Sequence, residues 1–304
     1  MGWQMVFWIA LGASVITLGI GFFTMGNVTE TTPISFDILS LLLCAAGFAS
    51  LVVGLGNWSS YKFVSVPVLG LVVGGLGFLL LFVKRQQQLS VPFLNLKAFA
   101  NLEFRLSVLS SMLIYCSMMA VSTLLPLYNQ SLRGVSATTS GLIMMPGSLV
   151  TALISPVAGK IYDRIGIRKL YLIGGFLILT GHISFCLLTT DTPVAIISVL
   201  FLVRQLGIGM LMMTTVTWGM STLPGEMMSD GTAIISSLRT VSGAIGSAVF
   251  VSIMSAVAGR SDVAAMMCGI RAAFAGIALL SAVLFLLAVL CIGRKKAVTA
   301  EWSS

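Results

Sequence analysis

The chain alternates long apolar runs with short polar segments. Nine of the runs are each about 20 residues long, the length a helix needs to cross the hydrocarbon core of a bilayer. Lipid offers no hydrogen-bond partner to a backbone, so such runs form helices. The pattern predicts an all-α membrane protein with about nine transmembrane helices, at residues 3–23, 37–55, 64–83, 106–127, 141–162, 170–188, 194–220, 233–258 and 272–292.

Composition excludes several classes of protein. Of the 304 residues, 58% are hydrophobic and only 9% are charged, whereas soluble domains are about a quarter charged. This excludes a soluble enzyme, a nucleic-acid binder and a disordered protein. The net charge of +8 includes no basic run long enough to grip a phosphate backbone. The surroundings of the protein are therefore predicted to be the lipid bilayer, with no nucleic-acid partner.

Lysine and arginine are distributed unevenly between the two ends of the predicted helices. Eleven of the 17 lie after the third, fifth and ninth helices, four lie on the opposite side, and Arg204 and Arg239 lie inside helices. Cytoplasmic loops carry the excess of basic residues. We therefore expect a multi-pass protein of the plasma membrane, with a cytoplasmic C-terminus and with Met1 outside.

The first predicted helix begins two residues after Met1, with no basic residue before it to orient it. This predicts that helices are missing upstream and that the sequence is the C-terminal part of a longer transporter. Glycine pairs such as Gly70–Gly74 and Gly243–Gly246 are expected to allow close contact between helices. The single histidine, His182, is predicted to be a helix-packing residue, and no cysteine pair has metal-site spacing.

One loop carries a specific motif between the fifth and sixth predicted helices. Its pattern, G-x-x-x-D-R-x-G-x-R-K, resembles a signature of the major facilitator superfamily. By this resemblance the loop takes part in gating at the cytoplasmic face. The matching positions are Gly159, Asp163, Arg164, Gly166, Arg168 and Lys169.

Other segments resemble the fourteen-span drug:proton antiporter branch of that superfamily. They are LPLYNQ at 125–130, RQLGIG at 204–209, RTVSGAIGSA at 239–248 and FDIL at 36–39, where Ser40 replaces the branch's usual glycine. The resemblance implies that residues 1–35 hold the last helix of a missing N-terminal bundle. Residues 36–105 then form two linker helices and a cytoplasmic loop. Residues 106–304 form the C-terminal six-helix bundle and its tail.

The resemblance implies proton-coupled efflux of drugs or other small lipophilic compounds. The proton gradient is then the energy source, with no cofactor, and the missing N-terminal half is the principal partner. The alternative is a non-transporting membrane fragment or an interaction protein derived from such a transporter. An enzyme is not expected, because no cluster of catalytic side chains lies in the helices. No carboxylate occupies the centre of a predicted helix.

Seven residues are candidates for the substrate cavity. A charge inside a membrane helix needs a cavity or a partner. Arg204 therefore either faces substrate or binds backbone carbonyls, whereas Arg239, nearer a helix end, either faces substrate or snorkels to the interface. Flexible methionines and aromatic rings suit apolar ligands, and polar groups near the outer mouth supply further contacts. The remaining candidates are Tyr115, Tyr128, Gln130, Met213 and Trp218.

Overall fold

The computed structural model describes residues 4–24, 37–57, 65–89, 94–259 and 262–292, and all regular structure in these ranges is helical. The long helices are α1 Gln4–Thr24, α2 Ile38–Gly56, α3 Val66–Gln88, α4 Leu102–Leu127, α5 Ala137–Cys186, α6 Val194–Ser221, α7 Met228–Ala258 and α8 Val263–Leu290. Short helical turns occupy Leu96–Ala100, Tyr128–Leu132 and Gly225–Met227. Of the predicted features, the basic residues Lys62, Arg260 and 294–296 and the motif residue Phe36 lie outside the described ranges.

Eight helices in the described ranges are long and apolar enough to cross a membrane. The count differs from nine because the predicted helices at 141–162 and 170–188 join in α5, which has 50 residues. At 1.5 Å per residue α5 follows a path of about 75 Å, more than twice the hydrocarbon thickness. Gly166, with φ 75° and ψ 167°, interrupts the helical geometry inside α5. This interruption divides α5 into two segments, 137–165 and 167–186.

The chain divides into two compact units. The first, Met1–Phe36, contains α1, whose described side chains are exposed or half-exposed along the whole helix. The second unit, Asp37–Ser304, contains α2–α8. In this unit α5 packs mainly on α6, α4 packs on α7, and α8 packs on both α5 and α7. The antiparallel pair α2 and α3 joins this group where α2 contacts α7.

Glycines create the closest helix contacts. A Cβ on Gly243 would lie 2.5 Å from the Tyr115 ring, and a Cβ on Gly246 would lie 2.4 Å from Cys116 Sγ. The close contact expected at this glycine pair is therefore confirmed, and it joins α7 to α4. The expectation for Gly70 and Gly74 is wrong, since a Cβ there would meet nothing within 4 Å. These two glycines lie on a different face of α3 from Gly75, which packs on the backbone of α2.

Two glycine substitutions should distinguish the effect of helix packing on stability from the effect of helix propensity. A Cβ on Gly207 would lie 2.6 Å from the carbonyl oxygen of Gly174, a backbone atom that moves only if α5 and α6 separate, whereas a Cβ on Gly77 would meet nothing within 4 Å. We expect Gly207→Ala to lower the free energy of unfolding by about 1–3 kcal/mol through overpacking. Gly77→Ala should change it by less than about 1 kcal/mol, in the stabilising direction. Thermal unfolding in detergent measures both, and equal melting temperatures would contradict the assigned contact.

Candidate functional site

Arg204 lies inside the packed helices of the second unit and has no solvent-exposed surface. Its Nε donates to His182 Nε2 at 2.8 Å, one Nη donates to Gln205 Oε1 at 2.8 Å, and the other donates to the Ser117 carbonyl at 3.0 Å. These bonds join α6 to α5 and α4. Of the two roles open for Arg204, hydrogen bonding within the helix group is therefore the one seen in this conformation.

The bond to Arg204 also determines the tautomer of His182. An arginine Nε can only donate, so His182 Nε2 must be the accepting nitrogen and the ring proton must lie on Nδ1. Nδ1 then donates to Ser281 Oγ at 2.5 Å, and that hydroxyl donates to the Ile277 carbonyl at 2.9 Å. This series of hydrogen bonds extends from α6 through α5 to α8. The imidazole in it is neutral, because one ring nitrogen accepts and the other donates.

The sequence prediction for His182 was incomplete. The ring is fully buried, as a packing residue would be, but it also binds the guanidinium 22 residues away in the next helix. Gly181 indicated where this could happen, because a Cβ there would lie 2.6 Å from Arg204 Cβ. A glycine beside a histidine in one apolar helix and an arginine in the next is the signal that could have been found.

Arg239 has a different environment. Its guanidinium carbon lies 5.3 Å from the centroid of the Tyr115 ring, in cation–π geometry, and its Nε is buried with no hydrogen-bond partner in the described part of the chain. The structure thus brings together two of the predicted cavity residues. Because α7 begins at Met228, five residues earlier than predicted, Arg239 is eleven residues into the helix. It lies about 17 Å along the helix axis from the start of this 31-residue helix, so it does not occupy a helix end.

A narrow cleft surrounds this pair. It is lined by Ser111, Ile114 and Tyr115 of α4, Met212 of α6 and Arg239 of α7, and it has no room for a water molecule in this conformation. The Ser111 hydroxyl is also buried without a hydrogen-bond partner among the described residues. Convergent unpaired polar groups beside an aromatic face are typical of a ligand site. Ligand pockets measure about 300–1,000 Å³, so the cleft is closed to a drug-sized molecule in this conformation.

Two other predicted cavity residues lie on α6. The side chain of Met213 is 63% exposed and faces away from the cleft, while its neighbour Met212 lines it. A rotation of about 100° per residue accounts for this difference. Trp218 is buried and packs edge-to-face on Tyr171, with ring centroids 6.1 Å apart.

The two candidates at the far end of α4 also lie apart from the cleft. Tyr128 is fully buried, and its hydroxyl donates to the Thr189 carbonyl, which ties the turn after α4 to the loop after α5. Gln130 is exposed. The structure therefore does not bring these two residues together with Tyr115 and Arg239.

The loop motif lies around the break in α5. Gly166 occupies the positive-φ region that favours glycine, whereas Gly159 is helical and its Cβ position is open. Asp163 makes no ion pair with any described residue. The charged motif side chains are all exposed, namely Asp163, Arg164, Arg168 and Lys169.

A polar network that the sequence did not predict joins the ends of α2 and α3. Both oxygens of Asp37 accept from Arg85, at 2.8 and 3.0 Å, and the Ser40 hydroxyl donates to the same carboxylate. Arg85 and Ser40 hold the pKa of the Asp37 carboxyl well below its usual range. Gln86 then donates to Ser40 and accepts from the Leu94 N–H at 3.0 Å. Ser40, where the family pattern has glycine, is the centre of this network.

The described carboxylates lie at helix ends, in loops or beside the break in α5, away from the Arg239 cleft. No group of three or more His, Cys, Asp and Glu side chains in the described ranges has the geometry of a metal site. The cleft is lined by a cation, an aromatic ring, a hydroxyl and apolar walls.

Known proteins resemble this chain over most of its length. The family profile described as Major Facilitator Superfamily matches residues 1–247. A Bacillus subtilis protein named as the uncharacterised MFS-type transporter YcnB is 38% identical over 289 residues, covering 94% of this chain and 61% of its own length. The lincomycin resistance protein LmrB of the same species is 37% identical over 266 residues, covering 84% and 54%. The riboflavin transporter RibZ of Clostridioides difficile is 26% identical over 251 residues, covering 82% and 54%.

The chain spans between 54% and 61% of the length of these curated relatives. The profile match covers far more than half of the chain, and it includes the helices that form the cleft. The chain is a multi-pass membrane protein and belongs to the Major Facilitator Superfamily.

Proposed function

We propose that this chain forms one side of a transporter that exports small lipophilic compounds in exchange for protons, within the fourteen-span drug:proton antiporter branch. The observation that carries the proposal is Arg239, which stacks on Tyr115 eleven residues into α7 and whose buried Nε has no hydrogen-bond partner among the described residues, in a chain of this superfamily. Superfamily transporters hold substrate near the midplane between two helix bundles. The relatives named for lincomycin resistance and for riboflavin transport support a small-molecule substrate.

In this proposal α4–α8 form one bundle. With α5 divided at Gly166 they supply six membrane-crossing segments, and α1–α3 bring the total to nine. The substrate site then needs a second bundle as its other wall. The described carboxylates avoid the membrane centre, so the group that carries the coupled proton would belong to that second bundle. The exposed motif around Asp163 would act in gating where the two bundles approach each other.

The test is energised dye efflux from cells that lack their own pumps. We expect residues 1–304 alone to insert without driving efflux. Co-expression with the N-terminal bundle of a relative such as YcnB should produce efflux that a protonophore abolishes. Protonophore-sensitive efflux by residues 1–304 alone would contradict the need for a second bundle. Failure of every combination to transport, with both parts inserted, would favour the alternative of a non-transporting protein.

The proposed orientation places the C-terminus and the α5 break in the cytoplasm. Lys160 and Thr138 are both exposed, on the two sides of the first α5 segment. In a background with all five cysteines replaced, an impermeant maleimide should label Thr138→Cys in intact cells. Lys160→Cys should react only after permeabilisation, because eleven basic residues lie on its side. Labelling of Lys160→Cys but not Thr138→Cys in intact cells would reverse the topology.

A further inference from the structure

A second cavity lies between the pair α2 and α3 and the helix α7, apart from the Arg239 cleft. It has a volume of about 280 Å³ and is lined by eleven side chains, among them Cys44 and Phe48 of α2, Phe82 of α3, and Leu96 in the 3₁₀ turn before α4. Only one lining residue, Ser237 of α7, carries a hydroxyl. We call this space the α2–α3–α7 cavity.

The depth of the α2–α3–α7 cavity matches one leaflet of a bilayer. Cys44 and Phe48 are six and ten residues after the start of α2, and Phe82 is six residues before the end of α3. These positions lie about 9–15 Å from the end of the helix pair, and half of the hydrocarbon core is about 15 Å. Only two lining residues, Phe82 and Ile234, are buried, so the cavity opens at the surface of the described structure.

The polar network at Asp37 and Arg85 lies at the end of the cavity nearest the start of α2 and the end of α3. The bond from the Leu94 N–H to Gln86 holds the segment at 94–100 against α3, and Leu94, Leu96 and Phe99 of that segment line the space. The walls are therefore held by specific hydrogen bonds and not by incidental packing of loose side chains.

Two lysines follow lining residues at the same end of the cavity. Lys84 and Lys97 are exposed, and each directly follows a lining residue, Val83 or Leu96. Neither forms an ion pair with a described residue, although the Asp230 carboxyl lies against the Asn95 backbone of the same segment. An apolar cavity of this length, with two exposed lysines next in sequence to its lining residues, is complementary to an acyl chain attached to a phosphate.

We infer that the α2–α3–α7 cavity binds one acyl chain of a membrane phospholipid, with the phosphate held by Lys84 and Lys97. A methylene group occupies about 30 Å³, similar to a water molecule's share of liquid volume. The cavity therefore holds roughly ten methylenes, most of one leaflet's chain. The bound lipid fills the gap between the α2 and α3 pair and the α4–α8 helices, so this site is separate from the proposed transport site.

The first test compares two adjacent serines on α7. Both Ser236 and Ser237 are exposed, but only Ser237 lines the cavity. The purified 304-residue chain is examined by native mass spectrometry for retained phospholipid. We expect the unmodified chain and Ser236→Trp to retain one phospholipid that Ser237→Trp lacks. Equal retention by both tryptophan variants would overturn the inference.

The second test leaves the cavity wall unchanged and uses Cys44 as a reporter. In a chain that keeps only Cys44, an apolar maleimide is allowed to react in detergent while dioctanoyl phosphatidylglycerol is added. We expect the lipid to slow labelling at least fivefold, and dioctanoyl glycerol, which lacks the phosphate, to have a much weaker effect. A Lys84→Gln/Lys97→Gln double variant should remove the difference between the two lipids. No protection at Cys44, or equal protection at Cys291 as the retained cysteine, would overturn the inference.

Discussion

Arg204→Ala should lower the free energy of unfolding by about 3–5 kcal/mol. The substitution removes a large, fully buried side chain and leaves three buried acceptors without their donor, on His182, Gln205 and Ser117. Each buried polar group left unsatisfied costs about 1–3 kcal/mol, and the cavity adds to the loss. Thermal unfolding of the purified protein in detergent should show a melting temperature lower by roughly 10 °C.

The matched control is Arg271→Ala. Arg271 is also on a helix and also donates to a backbone carbonyl, that of Leu188, at 2.9 and 3.2 Å, but its side chain is exposed. Its removal should cost no more than about 1 kcal/mol, since water replaces the lost bond. Similar melting temperatures for the two variants would show that the network around Arg204 contributes little to stability.

Arg239→Gln should reduce transport at least tenfold with little change in melting temperature. Arg239 has no ion pair among the described residues, and its main contact is the face of Tyr115, worth about 0.5–1 kcal/mol. Removing the charge therefore costs little stability, but it takes away the one cation of the cleft. The measurement is energised dye efflux by the chain together with its second bundle, normalised to the amount of protein in the membrane.

Arg133→Gln is the control for this prediction. Arg133 also stacks on a tyrosine, with its guanidinium carbon 5.9 Å from the Tyr128 ring, but it follows the helical turn Tyr128–Leu132 after α4 and donates to the Thr190 carbonyl. Transport by this variant should stay within about twofold of the unmodified chain. If Arg133→Gln and Arg239→Gln impaired transport equally, the cleft would lose its assigned role in substrate binding.

The two intramembrane arginines illustrate a general point about charges in membrane helices. Arg204 uses its guanidinium to join α4, α5 and α6, whereas Arg239 faces a cleft with an unpaired Nε. A buried charge is retained either because it holds the structure together or because it meets a ligand. The contacts of each guanidinium distinguish the two roles, and hydropathy does not.

Hydropathy was sufficient to place most of the helices, because lipid requires about 20 apolar residues in every crossing segment and satisfies no backbone group. The breakpoint at Gly166 and the close approach at Gly243 and Gly246 were also within reach of the sequence, since only glycine suits such positions. The extension of both predicted helices up to Gly166 was not, because the residues on either side of this glycine are helical although they lie in a stretch too polar to count as membrane-spanning.

The pairing of side chains depended on tertiary structure. Arg239 meets Tyr115 from 124 positions away, Arg85 meets Asp37 across 48, and Met212 replaces Met213 at the cleft through a single step around the helix. Each pairing follows from how far one helix is rotated and shifted against another. That rotation is set by the packing of many small and apolar side chains together, and no single segment of the chain contains it.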